Sequence, residues 1–215
     1  GIFVSTTYIQ LLEKTKAIAS ALMDLGVKRG DRIGLLSDNR PEWLALDISI
    51  LSLGAIDVPR GRDAMEYEIE YILKTTEAEV CVAENLELYK KLTSVSERLP
   101  KLKYVIVIDE AGIELNSSVI SYKALLSRGI ERLGMEGERE KIEREVMLGD
   151  ESDTATIIFT SGTTGLPKGV MSTHGNFLYI CGVGNSLYPF KKGEKWLSVL
   201  PVWHSFERII QYLFI

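Results

Sequence analysis

Thr160, Ser161, Thr163 and Thr164 supply hydroxyls, Gly162, Gly165 and Gly169 supply backbone free of side chains, and Lys168 supplies a cation, all within one short block. The block follows the β-branched, apolar run Thr154-Ala155-Thr156-Ile157-Ile158-Phe159, which reads as a strand. Glycines let backbone N–H groups approach an anion closely, hydroxyls add donors, and an ammonium group adds charge, so this chemistry suits a polyphosphate. A plain turn between two strands is the competing reading, but a turn needs neither a lysine nor a cluster of hydroxyls. Nor is it a Walker A loop: counted from Gly162, Pro167 stands where the second glycine belongs, and Gly169 rather than serine or threonine follows Lys168. Further on, Gly182-Val183-Gly184 fails as a dinucleotide fingerprint, because Leu187 occupies the third glycine position.

The contiguous run Thr160-Ser161-Gly162-Thr163-Thr164-Gly165-Leu166-Pro167-Lys168-Gly169-Val170 resembles the signature phosphate-binding motif of the adenylate-forming superfamily, which includes acyl-CoA synthetases, peptide-synthetase adenylation domains and luciferases. A second block, Leu200-Pro201-Val202-Trp203-His204-Ser205-Phe206-Glu207-Arg208, is similar to the segment that follows the phosphate loop in long-chain fatty acyl-CoA synthetases. Near the N-terminus, Gly30-Asp31-Arg32-Ile33 through Asn39 and then Glu42-Trp43 resembles the first strand and helix of the same enzymes.

The resemblance implies that Thr160, Ser161, Gly162, Thr163, Thr164, Gly165 and Lys168 bind ATP, with Thr163 and Thr164 as the leading phosphate ligands. It implies that Trp203 and His204 line the substrate pocket and that His204 has a catalytic role. As an ordinary helix start, the second block would instead bury Trp203 and Phe206 and expose Glu207 and Arg208. The implied reaction has two steps. A fatty acid carboxylate attacks the α-phosphate of ATP, with Mg²⁺, and expels pyrophosphate; the coenzyme A thiol then takes the acyl group from the adenylate. The rivals are a ligase for another carboxylate, such as an aryl acid or an amino acid, and a nucleotide-binding module without catalysis. The superfamily's later glutamate, aspartate and lysine motifs have no match in the chain, so the resemblance implies a partial N-terminal (AMP-binding) domain that makes no acyl-CoA by itself.

Helices and strands must alternate to carry these blocks. Tyr8 through Leu25 has apolar residues at helical spacing, Thr7 and Gln10 placed as a capping box, and Gly26 placed as a stop, which predicts a surface helix with one buried face. A strand follows at 32–37, then a helix opened by Asp38, Asn39 and Pro41 and ending near Gly54. Next come a strand at 55–59, a helix opened by Asp63 with Glu66, a strand at 79–83, a helix at 86–98 and a strand at 104–108. Continuous apolar strands alternating with helices predict an α/β fold, a parallel-rich sheet with helices on both faces. This alternating part spans residues 1–130. The mostly charged stretch 131–153 reads as a solvated helix and connector with Ile142 and Val146 as its weakly buried stripe, and 154–215 holds the phosphate loop and the start of the acyl-pocket segment.

Composition narrows the classes of function. A net charge of -5 from 25 Lys and Arg against 30 Asp and Glu gives no basic bias for a nucleic-acid partner. Small molecules (fatty acid, ATP, coenzyme A) are the expected partners. Cys81 and Cys181 form neither a disulfide framework nor a zinc spacing, and no secretory signal precedes Tyr8, which together suit a reducing cytoplasmic setting, with peripheral contact with lipid in keeping with a fatty substrate. Neither His174 nor His204 has a second ligand at metal spacing, and His174, on the exit of the strand after the loop, reads as structural. The apolar stretch Trp43–Val58 is too interrupted and too short to span a membrane.

Overall fold

The computed structural model describes residues 4–160, 166–189 and 191–215. Helix α1 (Tyr8–Asp24) opens with the expected capping box: the Thr7 hydroxyl accepts from the Gln10 N–H at 3.2 Å, and the Gln10 side chain accepts from the Thr7 N–H at 2.8 Å. Its burial differs from the single stripe expected. Tyr8 and Leu12 are exposed, whereas Ala17 through Leu22 are buried on all sides, because the second half is sandwiched between α2 (Pro41–Ser52) and α5 (Tyr122–Leu133).

The sheet has the order β5-β4-β3-β1-β2-β6-β7. Strands β1 (Arg32–Leu36), β2 (Ile56–Arg60), β3 (Val80–Ala83), β4 (Tyr104–Val107), β5 (Val119–Ser121) and β6 (Thr154–Thr160) all run parallel, and β7 (Lys168–Thr173) returns antiparallel to β6. Side chains alternate between the two faces. Ile33, Leu35, Val80, Val82 and Ile106 pack under α1, α2 and α5, while Leu36, Cys81, Ala83, Val105 and Val107 pack under α3 (Glu66–Thr76) and α4 (Leu86–Val95). Gly34 faces α3, where an added Cβ would lie 2.6 Å from Leu73, so the helix sits directly on the β1 backbone. The α/β class and two-sided cover expected from the sequence are thus present.

Several boundaries differ. Helix α2 has Arg40 at its N-cap, with no side-chain cap from Asp38 or Asn39. Helix α3 starts after Met65, whose N–H is taken by Glu68 at 2.9 Å; Asp63 pairs with Arg60 at 2.7 Å instead of capping. Residues 131–133 complete α5, and the charged helix is α6 (Glu138–Met147), in which Ile142 is buried but Val146 is half exposed. The helix after β3 tightens into a 3-10 turn at Ser96–Arg98. Helix α7 (His174–Leu187) is capped by Thr173, and α8 (Ser205–Leu213) follows a long irregular stretch.

Candidate functional site

Helix α2, leaving β1, goes to one face of the sheet, whereas α3 and α4, leaving the neighbouring β2 and β3, go to the other. Connections that diverge at adjacent strands open a crevice beyond their carboxyl ends, the usual ligand position in open α/β sheets. A cleft of about 670 Å³ lies there, lined by Asp38 and Asn39 after β1, Arg62 and Asp63 after β2, Glu84 after β3, and by Pro201 and Trp203. Glu84 fixes the turn after β1 by accepting from the Ser37 hydroxyl at 2.9 Å and the Asp38 N–H at 2.8 Å.

Trp203 is held from three sides. The Arg60 guanidinium lies 4.8 Å from its ring centre, and Asp63 and Glu68 hold that guanidinium in turn. His204 stacks beside the indole with ring centres 4.3 Å apart. Gly61 closes the third side: a Cβ there would lie 2.4 Å from the indole nitrogen, so no larger residue fits without moving the ring. His204 is exposed and occupies the N-cap of α8 without a side-chain cap bond.

Helix α8 contradicts the competing reading of an ordinary helix start with buried Phe206 and exposed charges. Phe206 is exposed at 60%, while Glu207 and Arg208 are buried at 1% and 0%. Arg208 inserts between α2 and β2, where it pairs with Asp47 and, at 2.8 Å, with Asp57; its Nε donates to the Tyr212 hydroxyl, which donates to Asp47 at 2.6 Å. The aromatic rings of Trp43 and Phe177 flank the guanidinium. Desolvation pushes the Asp47 carboxyl up to about 7, with Arg208 pulling it down, Asp57 pushing it further up and the Tyr212 hydrogen bond pulling it down. Burial likewise raises the Tyr212 hydroxyl well above its ordinary range. None of this network was anticipated. The signal was present, because Asp47 and Asp57 are acids inside apolar runs, and a buried carboxylate calls for a cationic or hydrogen-bonding partner.

In the hydroxyl- and glycine-rich block, Thr160 ends β6 and lies opposite Lys168, the first residue of β7; both are exposed. Asp57 is level with Thr156, so the β6 terminus lies on the same sheet edge as Arg60 and the cleft. Gly169 is close-packed, its hypothetical Cβ 2.9 Å from Ile157. Ser161, Gly162, Thr163, Thr164 and Gly165 lie outside the described residues. Lys168 lines a separate groove of about 570 Å³ with Tyr71 and Phe159, and none of the residues lining the Trp203 cleft lines it. His174 begins α7, half-buried, where desolvation holds its imidazole below the ordinary range against the pull of Asp153. Among the described residues, no group of three or more His, Cys, Asp or Glu is placed to hold a metal, and no helix is long and apolar enough to cross a membrane.

The sequence profile of the family described as "AMP-binding enzyme" matches residues 2–215. The chain belongs to that family. Among curated AMP-binding relatives, the chain is 32% identical over 212 residues to an Arabidopsis thaliana chloroplastic long-chain-fatty-acid--[acyl-carrier-protein] ligase, covering 96% of this chain and 29% of that protein. It is 31% identical to peroxisomal long chain acyl-CoA synthetase 7 of the same plant, over 96% of this chain and 29% of the relative. It is 29% identical to a long-chain-fatty-acid--CoA ligase of Mycobacterium tuberculosis, over 98% and 34%. The solved structure of a long-chain-fatty-acid-CoA ligase from Archaeoglobus fulgidus superposes with a TM-score of 0.80 at 25% identity, covering 99% of this chain and 38% of that one. An anthranilate CoA ligase in complex with anthranoyl-AMP shares the fold, with a TM-score of 0.76 at 22% identity, over 97% and 38%. The chain thus spans about a third of the length of its AMP-binding relatives, and their names place them in more than one compartment.

Proposed function

We propose that the full-length polypeptide activates a long-chain fatty acid with ATP to an acyl-adenylate and then transfers the acyl group to coenzyme A. The supporting observation is the pairing of Thr160 with Lys168 at the neck of the hydroxyl- and glycine-rich stretch, on the sheet edge that also carries the Trp203 cleft, in a chain of the AMP-binding family. A hydroxyl and an ammonium facing each other across an antiparallel pair provide donors for phosphate oxygens, and Ser161, Thr163 and Thr164 extend that donor set. Mg²⁺ enters with the triphosphate as part of the substrate and neutralises charge on the departing pyrophosphate. In this reading Trp203 and His204 line the acid pocket, the indole offering an apolar wall to the acyl chain and the imidazole sitting at the adenylate. The protein contributes chiefly positioning and charge stabilisation.

The test is pyrophosphate release by the full-length polypeptide with acids of graded length and with aryl and amino acids, each with coenzyme A or acyl carrier protein as acceptor. The reading predicts preference for long chains and a coenzyme A thioester. No preference for long chains would overturn the fatty-acid assignment, and a product formed only on acyl carrier protein would overturn the acceptor.

A further inference from the structure

The stretch 198–202, which leads into Trp203, has no regular secondary structure to hold it, yet one side chain more than 150 residues away in sequence clamps it. The Asn39 amide nitrogen donates to the Ser198 hydroxyl at 2.9 Å and to the Leu200 carbonyl at 2.7 Å, and its oxygen accepts from the Val202 N–H at 2.9 Å. A carboxamide is the only ordinary side chain that can donate twice and accept once from a single planar group of this size. The clamp reaches α8 as well, since Gln211 donates to the same Ser198 hydroxyl at 3.0 Å. Asn39 itself stands on a rigid base, the turn after β1 that Glu84 fixes. Val202, at the end of the clamped stretch, is buried in the core, so little slack remains before Trp203.

We propose that Asn39 is a positioning residue for acid binding: by fixing the backbone at 198–202 it sets the placement of the Trp203 and His204 rings in the cleft. The proposal rests on the reading that these rings line the acid pocket. Asn39 is not taken to touch ATP or the reacting atoms, so its loss acts on the acid and spares the nucleotide. Asn39→Asp keeps the size and the acceptor but removes both donors and sets a carboxylate against the Leu200 carbonyl.

The test compares full-length wild type with Asn39→Asp, Ser198→Ala, Trp203→Ala and the Asn39→Asp/Trp203→Ala pair, reading KM for the acid and for ATP, kcat and the thermal midpoint. Asn39→Asp is expected to raise the acid KM about tenfold while leaving the ATP KM within about twofold, a loss in keeping with two hydrogen bonds. Because it is expected to act through Trp203, the double variant should be no worse than Trp203→Ala. Should Asn39→Asp not fold, Ser198→Ala, which removes one acceptor, carries the same test with an expected rise of about threefold in the acid KM alone. A parallel rise in both KM values, an unmoved acid KM, or losses that multiply in the double variant would overturn the proposal. Trp203→Ala without effect on the acid KM would overturn the pocket assignment and the role of Asn39 together. Preference for a different acid defeats only the fatty-acid reading, since the variants are then scored on that acid.

Discussion

Arg208 brings one positive charge into a site walled off from water that also holds two carboxylates, so the buried cluster carries an excess negative charge unless a proton stays on it. Burial raises the Asp47 carboxyl to about 7. In the unfolded chain the same carboxyl titrates near about 4. Between those two values the folded protein binds more protons than the unfolded one, so this group's stabilising contribution is full below about pH 4 and is lost as pH rises toward about 7. Asp47→Asn mimics the protonated form; it is expected to leave stability at neutral pH within about 1 kcal/mol of wild type and to flatten the fall between about pH 4 and 7, read by urea midpoints. Arg208→Ala leaves buried carboxylates without their cation and is expected to cost about 3–5 kcal/mol. An Asp47→Asn loss as large as that of Arg208→Ala would show that the carboxylate is needed in its charged form. At this scale the sequence was half legible. The hydroxyl of Thr160 and the cation of Lys168, proposed above to bind phosphate, stand in one short block of sequence, whereas Asn39 meets Ser198, and Arg208 meets Asp47 and Asp57, across large sequence separations that no local pattern encodes.

Elements were read best where a pattern repeats. Strands β1 to β4 appeared at nearly their observed positions because each is a run of apolar residues between turn signals, and α1 opened at its capping box. Residues 109–130 fell within the alternating part but yielded no individual helix or strand, although β5 and most of α5 lie there. β5 has only three residues, too few to show alternation, and the start of α5 is marked by Ser121 accepting from the Ala124 N–H, a cap with no glutamate or glutamine partner to flag it. The most sensitive contact between elements is also on α5: a Cβ at Gly129 would lie 1.8 Å from the Ala17 carbonyl of α1, so the two helix backbones touch. Gly129→Ala must push them apart and is expected to cost about 3 kcal/mol, lowering the melting temperature by roughly 6–12 °C despite the better helix propensity of alanine. An unchanged or raised melting temperature would mean that the helices separate freely. Helix α8 taught the opposite lesson, since its polar residues face inward. An apolar-in pattern fails wherever a helix is anchored by a buried ion pair.

At the scale of the whole molecule, the parallel sheet supplies one edge on which β1, β2, β3 and β6 all end, and that edge gathers the turn after β1, Arg60, the Trp203 cleft and Thr160. Fold class was legible because alternation of helix and strand leaves few ways to cover a parallel sheet. The cleft was not, because its shape depends on which face each connecting helix chooses, a property of topology rather than of any segment. In the proposed function the hydroxyl- and glycine-rich stretch after Phe159 grips the triphosphate of ATP during acid activation. It is tested most directly by acid-dependent exchange of labelled pyrophosphate into ATP in the full-length polypeptide with Thr163→Val, Thr164→Val and Lys168→Ala combined. A fall of about a hundredfold or more is expected, the scale for losing charge-stabilising donors. Exchange at the wild-type rate would contradict it.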